Sequence, residues 1–298
     1  LIIIAVALLS LSSIWGQQMS VAERNAAQGF NDTIDRLAPD FVLVSLCIAD
    51  PTDQSQDYLG ITGHAFLRLQ CPTFGLDYCF SYESEKIKGQ LWDYITGNLK
   101  MGMRGVHTSD YVEDYRIWKR AVHEYRINMP PEAEQRLWEQ MDNHMLAENE
   151  MQMNLIKYGC TNTLLRYVER ALVPDEIVYL WPEKYMTKTA MEIVEEHLQN
   201  YPWTLFGFRL TVRSEMRQME MPKQKIILPP DLLEVWSIAT INGEPLLTYI
   251  GDLVEAEPVV VKKPWFTPQL CCILLLILIA GIIGSVLVHR QKIYNHKS

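Results

Sequence analysis

Cys160 stands in KYGCTNTLLRYVERAL, where Leu164, Leu165, Val168 and Leu172 recur at intervals of three and four, the spacing of one helix face. The predicted helix runs from Thr161 to Leu172, so it begins immediately after the cysteine. Free backbone N–H groups and the helix dipole favour an anion at such a start, and the thiolate is the reactive form of cysteine. The position is therefore expected to lower the thiol pKa and make a nucleophile. A small buried residue at a helix start has the same spacing. His64, in ITGHAFLRL, follows a glycine that permits a tight backbone and enters an alternating strand. A histidine fixed on a strand and facing that thiol would be the general base of a cysteine acyl-transfer enzyme. His107, His123, His144 and His197 lie among charged neighbours and read as surface residues.

A zinc site made from His64, Cys71, Cys79 and Cys160 is disfavoured, because the seven residues between Cys71 and Cys79 do not match the short paired spacings of zinc motifs. No metal and no cofactor are expected. In an oxidising compartment Cys71 and Cys79, on the arms of a presumed hairpin, can instead form a disulfide. Cys271 and Cys272 read as apolar filler.

Two apolar stretches set the compartment. Leu270 to Val288 reads LCCILLLILIAGIIGSVLV without a charge, and at about 1.5 Å per residue it spans roughly 28 Å, close to a bilayer core. Behind it, Arg290, Lys292 and Lys297 stand without acids, so the tail is expected in the cytoplasm and the preceding chain outside it. The apolar opening LIIIAVALLSLSSIWG resembles the core and cleavage region of a secretory signal, with a retained anchor as the alternative. The expected domains are 1–16 signal peptide or N-terminal anchor, 17–253 exported catalytic domain, 254–269 proline-containing stalk, 270–288 transmembrane helix and 289–298 cytoplasmic tail. The formal charge is −9 at pH 7; setting aside the tail's +3 leaves −12 for the rest. So acidic a chain is not expected to bind nucleic acid, whose phosphates need a basic surface.

The exported part reads as α+β with its sheet in the first half. Strands are expected at Phe41–Ile48, around His64–Leu69 and Tyr78–Tyr82 with a turn near Pro72 and Gly75, and at Arg116–Asn128. Helices are expected from Pro130 to about Ala147, Thr161–Leu172, Thr187–Leu198 and Pro230–Ala239. Trp92, Trp203 and Phe206 are candidates for an acyl groove or the membrane interface, with core packing as the alternative.

These blocks together resemble the Lnb-type N-terminal periplasmic domain family. Gly63-His64-Ala65 running into Leu67-Arg68-Leu69 looks like its histidine signature, and Cys160-Thr161 after an aromatic residue looks like its Cys-Thr helix start. The Phe80-Ser81-Tyr82 strand, the segment Leu228-Pro229-Pro230-Asp231-Leu232-Leu233, and Thr267-Pro268 before an apolar helix also match its layout. The resemblance covers roughly residues 41–240. It implies a bacterial inner-membrane enzyme, its catalytic domain facing the periplasm, that N-acylates lipoproteins. The implied fold is similar to circularly permuted papain-like enzymes such as lecithin:retinol acyltransferase and NlpC-type peptidases. Carried over, Cys160 is the nucleophile and His64 the base. The implied partners are a membrane lipid or lipoprotein as acyl donor, a lipoprotein N-terminus as acceptor, and the membrane itself. The chain departs from the family where Tyr158-Gly159 stands for Asp-Asn before the cysteine and Ser81-Tyr82-Glu83 for Asn-Tyr-Gly. The third, orienting group is therefore open among Ser81, Tyr82 and Glu83. Two other functions use the same features: a cysteine peptidase or amidase acting on cell-wall peptides, and a non-catalytic membrane-anchored scaffold.

Overall fold

The computed structural model describes residues 42–52, 60–84, 100–146, 151–152, 156, 158–257, 259, 261 and 263–295. The leader reading at residues 1–16 and Trp92 lie outside them. Strands β1 (Leu43–Ala49), β2 (His64–Cys71) and β3 (Leu76–Glu83) come first. Pro72 and a left-handed Gly75 (φ 63°) close the turn between β2 and β3, a conformation glycine adopts without a Cβ clash. Next come β4 (Lys100–His107), α1 (Thr108–Ile117), β5 (Val122–Ile127), α2 (Pro131–Leu146), β6 (Met151–Gln152) and α3 (Cys160–Leu172). The second half holds β7 (Ile177–Val178), α4 (Glu183–Thr187), α5 (Ala190–His197), α6 (Pro202–Thr211), α7 (Arg213–Met216) and α8 (Pro229–Ile238). It ends with β8 (Thr240–Ile241), β9 (Glu244–Pro245), β10 (Leu247–Val254) and α9 (Pro268–Asn295).

Seven strands pair antiparallel in the order β10-β5-β1-β2-β3-β4-β6, and β7, β8 and β9 form a small second sheet. Helices α2, α3 and α8 cover one face of the large sheet, burying Leu46, Leu67, Leu69, Phe80, Leu137, Trp138, Leu164, Val168 and Trp236. Helix α1 covers the other face and packs Tyr111, Val112 and Tyr115 against Cys47, Phe66 and Cys79. The class is α+β, as the sequence predicts, but the sheet is not confined to the first half. β10 forms an edge beside β5, with two register shifts that break the alternation by which a strand is recognised.

Other elements differ from expectation for local reasons. Arg116 and Ile117 end α1 instead of opening a strand, and a left-handed Lys119 (φ 51°) separates them from β5. The helix expected over Thr187–Leu198 begins later, as α5 at Ala190, and Thr187 instead ends the separate α4. The chain is extended at Lys188, and Thr189 restarts it through a reciprocal capping box with Glu192. Helix α9 is longer than the apolar run at both ends. Its stretch Pro268–Arg290 is long and apolar enough to cross a membrane, and its most apolar part has no residue buried inside the rest of the protein.

Candidate active site

Gly63 sets the start of β2. Its φ is 81°, and a Cβ there would lie 3.1 Å from the Ala49 carbonyl oxygen, so a side chain would be strained by the backbone conformation and crowded by that oxygen. The chain turns through this glycine and delivers His64 as the first residue of β2, opposite Ala49 of β1. Pairing between β2 and β3 ends at Leu67 and Phe80. Beyond that point β2 continues to His64 along β1, and β3 continues to Glu83 along β4. The sheet opens there, and the candidate residues gather at the opening.

His64 Nε2 lies 2.7 Å from Ser81 Oγ. The Ser81 hydroxyl donates to Glu83 Oε2 at 3.1 Å, and Tyr111 donates to the same oxygen at 3.0 Å. Arg104 donates to Glu83 Oε1 at 3.3 Å. With its proton committed to Glu83, the Ser81 oxygen accepts Nε2–H from His64, which leaves the lone pair of the neutral ring on Nδ1. Glu83 Oε2 is itself 3.8 Å from Nε2, placed to stabilise an imidazolium. In the resting site the ring is neutral: burial, and then the nearby Arg120 guanidinium, lower its pKa to about 3. Arg120 is buried, donates to the carbonyls of Asp50 and Gly60, and lies over the Tyr115 ring. It ties the segment before His64 to α1.

Cys160 is the first residue of α3, after an extended Gly159 that supplies no side-chain cap. The orphan N–H groups of that first turn are therefore free to point elsewhere. The backbone N–H groups of Ala65, Thr161 and Cys160 surround the sulfur, with the Thr161 hydroxyl 3.9 Å away. Burial nevertheless outweighs these donors and raises the thiol pKa above its ordinary value. The expected lowering at a helix start is thus corrected: desolvation is the larger effect. The β2 residue that meets the sulfur is Ala65, the neighbour of His64. No hydrogen bond joins the sulfur to the imidazole itself among those described.

Of the three orienting candidates on β3, Ser81 reaches the histidine directly, Glu83 stands behind it, and Tyr82 does not reach it. Alternate side chains on a strand take opposite faces, so Ser81 and Glu83 share the face of His64 while Tyr82 is buried against α2 and α3. The Tyr82 ring stands edge-on to His144, and its hydroxyl has no hydrogen-bond partner among the described residues. Cys71 and Cys79 are likewise split between the two cores, so neither the zinc quartet nor a disulfide between them is assembled. His123, His144 and His197 are half-buried and bonded to Asp252, Tyr167 and Asp231, not free on the surface. Sequence reasoning missed Tyr111, Arg104 and Arg120. The spacing of Tyr111, Val112 and Tyr115 is the one signal that could have revealed α1. Nothing local marks the two arginines.

Comparison with curated proteins and comparison with solved structures each give no match. The family comparison does. Residues 37–187 match the model of the Lnb N-terminal periplasmic domain, a span that includes His64, Ser81, Glu83 and Cys160. Together with the apolar span of α9, this fits a membrane-anchored periplasmic protein. Matched over just over half of its length, the chain belongs to the family of Lnb N-terminal periplasmic domains.

Proposed function

We propose that this chain is a thiol acyltransferase of the bacterial inner membrane that N-acylates lipoproteins through a thioester on Cys160, on a domain similar to permuted papain-like enzymes. One observation carries the reading. The sulfur of Cys160, at an uncapped helix start, meets the backbone of Ala65, next to a histidine whose Nδ1 lone pair is left available by the bond from Nε2 to Ser81; the approach of Nδ1 to the sulfur is part of the proposal. In the first half-reaction Nδ1 takes the thiol proton as sulfur attacks the ester carbonyl of a membrane-held donor. The C–O bond breaks, the departing alkoxide takes the proton back from the imidazolium, and a thioester remains. In the second, the amino group of a lipidated N-terminal cysteine attacks the thioester. The C–S bond breaks, an amide forms, and the amine's proton returns to sulfur through His64.

The resting pair is neutral, so proton transfer accompanies attack and does not precede it. Ser81 and Glu83 stabilise the imidazolium that appears, and the N–H groups around the sulfur are suited to hold the tetrahedral oxyanion. Tethering by α9 keeps the site beside substrates whose acyl chains stay in the bilayer, raising their effective concentration. The test is Cys160→Ala in the full-length chain, with the N-terminal acylation of a host lipoprotein followed by mass spectrometry. Loss of the N-acyl group with the variant present in the membrane is expected. Unchanged N-acylation would remove Cys160 from the chemistry.

A further inference from the structure

Helix α6 is apolar on both sides. One side, Leu205, Phe208 and Val212, packs with Met191, Val194 and Leu198 of the α5 segment and with Ile227 and Leu228. The other side carries Trp203, Phe206 and Leu210, at helical spacing, which are 43%, 38% and 70% exposed. A helix that is hydrophobic all round is ordinarily buried all round. Here, among the described residues, the outer stripe stays partly exposed and meets the aromatic group before α9. It continues into the start of α9: Trp203 Nε1 donates to the Phe266 carbonyl at 2.9 Å, its ring lies 5.6 Å from that of Phe266, and Trp265 beside them is 84% exposed. The Thr267 hydroxyl then caps α9 by accepting from the Leu270 N–H at 3.3 Å, so the span begins immediately beyond this aromatic group.

Charge follows the same geography. The segment 202–217 carries Arg209, Arg213 and Arg217 against a single acid of its own, Glu215, in a chain whose overall charge is −9, although Arg209 pairs with Glu195 of α5 at 2.8 Å. An apolar stripe in a segment rich in arginine, with tryptophans at the mouth of a spanning helix, is the composition of a helix that lies in the headgroup region of a bilayer.

We infer that α6 is an interfacial helix, seated by Trp203, Phe206 and Leu210 in the leaflet that faces the domain, next to the point where α9 enters the bilayer. The seat is coupled to the candidate active site. The Tyr201 hydroxyl, at the start of α6, donates to the Thr52 carbonyl at 3.2 Å. The Thr52 N–H in turn bonds the Gly60 carbonyl, which also accepts from Arg120. The interface seat and the approach to His64 are thus one connected body. The membrane contact itself rests on α6 and α9 and is independent of the acyltransferase reading.

The experiment places the photo-crosslinking residue p-benzoylphenylalanine at position 210 of the full-length chain, reconstituted in nanodiscs of phosphatidylethanolamine and phosphatidylglycerol. Matching variants carry it at position 206, at Val178 on an exposed strand, and at Leu274 inside α9. Irradiation and intact-protein mass spectrometry should give phospholipid adducts at 210 and 206 at about the level seen at 274, and about tenfold more than at 178. Adducts at 274 without adducts at 206 and 210 would overturn the inference. So would equal labelling at 178, or crosslinks from 210 to a second polypeptide. Acylation activity does not enter this readout, so failure of the thioester mechanism would leave it standing.

Discussion

Under α1 the large sheet buries charge. Arg68 grips Asp77 through Nε and Nη2 at 2.8 and 2.6 Å and reaches Glu124 with Nη1 at 2.9 Å, while Thr108 donates to Asp77 at 2.5 Å. Under α2 and α3 the same strands pack Leu67, Leu69 and Phe80 against Trp138 of α2, a helix whose buried acids are Glu134 and Asp142. Two carboxylates show the difference. For Asp77, burial alone would raise the pKa, but the hydrogen bonds from Arg68 and Thr108 hold it below its ordinary value. For Glu134, on α2, burial is opposed only by the Val44 N–H and a more distant Arg126, and the pKa rises to about 8. One face keeps ions and the other neutralises them. The candidate active site sits where the sheet opens between β2 and β3, so it draws its base and relay from the charged face and its thiol from the apolar one. That division gives the resting pair its character: a thiol whose pKa is raised by desolvation at a helix start, and an imidazole beside a hydrogen-bonded carboxylate.

Removing the base should have the largest effect. His64→Ala leaves no group to take the thiol proton, and N-acylation measured by lipoprotein mass spectrometry should fall by about 10²–10⁴-fold with the protein still folded. Retention of most of the activity would mean that the charged face contributes structure only.

How much of this was visible in the sequence follows the same division. The thiol side was legible because it is local: the three-and-four spacing of Leu164, Leu165, Val168 and Leu172 announces α3 and its start at Cys160. β1, β2 and β3 were legible through their apolar runs and the Pro72–Gly75 turn. The charged side was not, because it is built from contacts far apart in the chain. Arg68 to Glu124 spans 56 residues and Tyr111 to Glu83 spans 28. The choice between Ser81 and Tyr82 needed the facing of β3, which the sequence leaves open wherever a strand is buried on both sides.

Glu134→Gln tests the apolar face by pH. The folded-state pKa is raised from 4.5 to about 8, so the unfolded chain releases this proton first. The carboxyl's contribution to stability is whole below about pH 4.5 and is lost as pH rises through 8, a loss of at most about 4–5 kcal/mol. Thermal unfolding of the detergent-solubilised chain at pH 5 and pH 8 should show that decline, and the isosteric amide should flatten it. An unchanged slope in the variant would mean that Glu134 ionises in the folded protein and that the two faces do not differ as described.

Ser81→Ala has a smaller effect because Ser81 acts through His64. Without the hydroxyl, Nε2 loses its acceptor and the tautomer that presents Nδ1 is no longer selected, so N-acylation should fall by about tenfold. The pH profile separates this positioning role from simple packing. Losing the link to Glu83 weakens support for the imidazolium and should shift the acidic limb of the activity profile. A variant slower by the same factor at every pH would assign Ser81 to packing alone.

Tyr82→Phe completes the comparison with the smallest change, one oxygen on the residue next to Ser81 in the same strand. That oxygen is buried on the apolar face without a hydrogen-bond partner among the described residues, and an unsatisfied buried hydroxyl costs stability. Its removal should leave N-acylation unchanged and stabilise the fold slightly, by about 1 kcal/mol or less in thermal unfolding. Loss of activity with the fold intact would return the phenol to the site. In that case the thiol's own face would supply a second polar partner, and the relay through Ser81 and Glu83 would be half of the apparatus, not the whole of it.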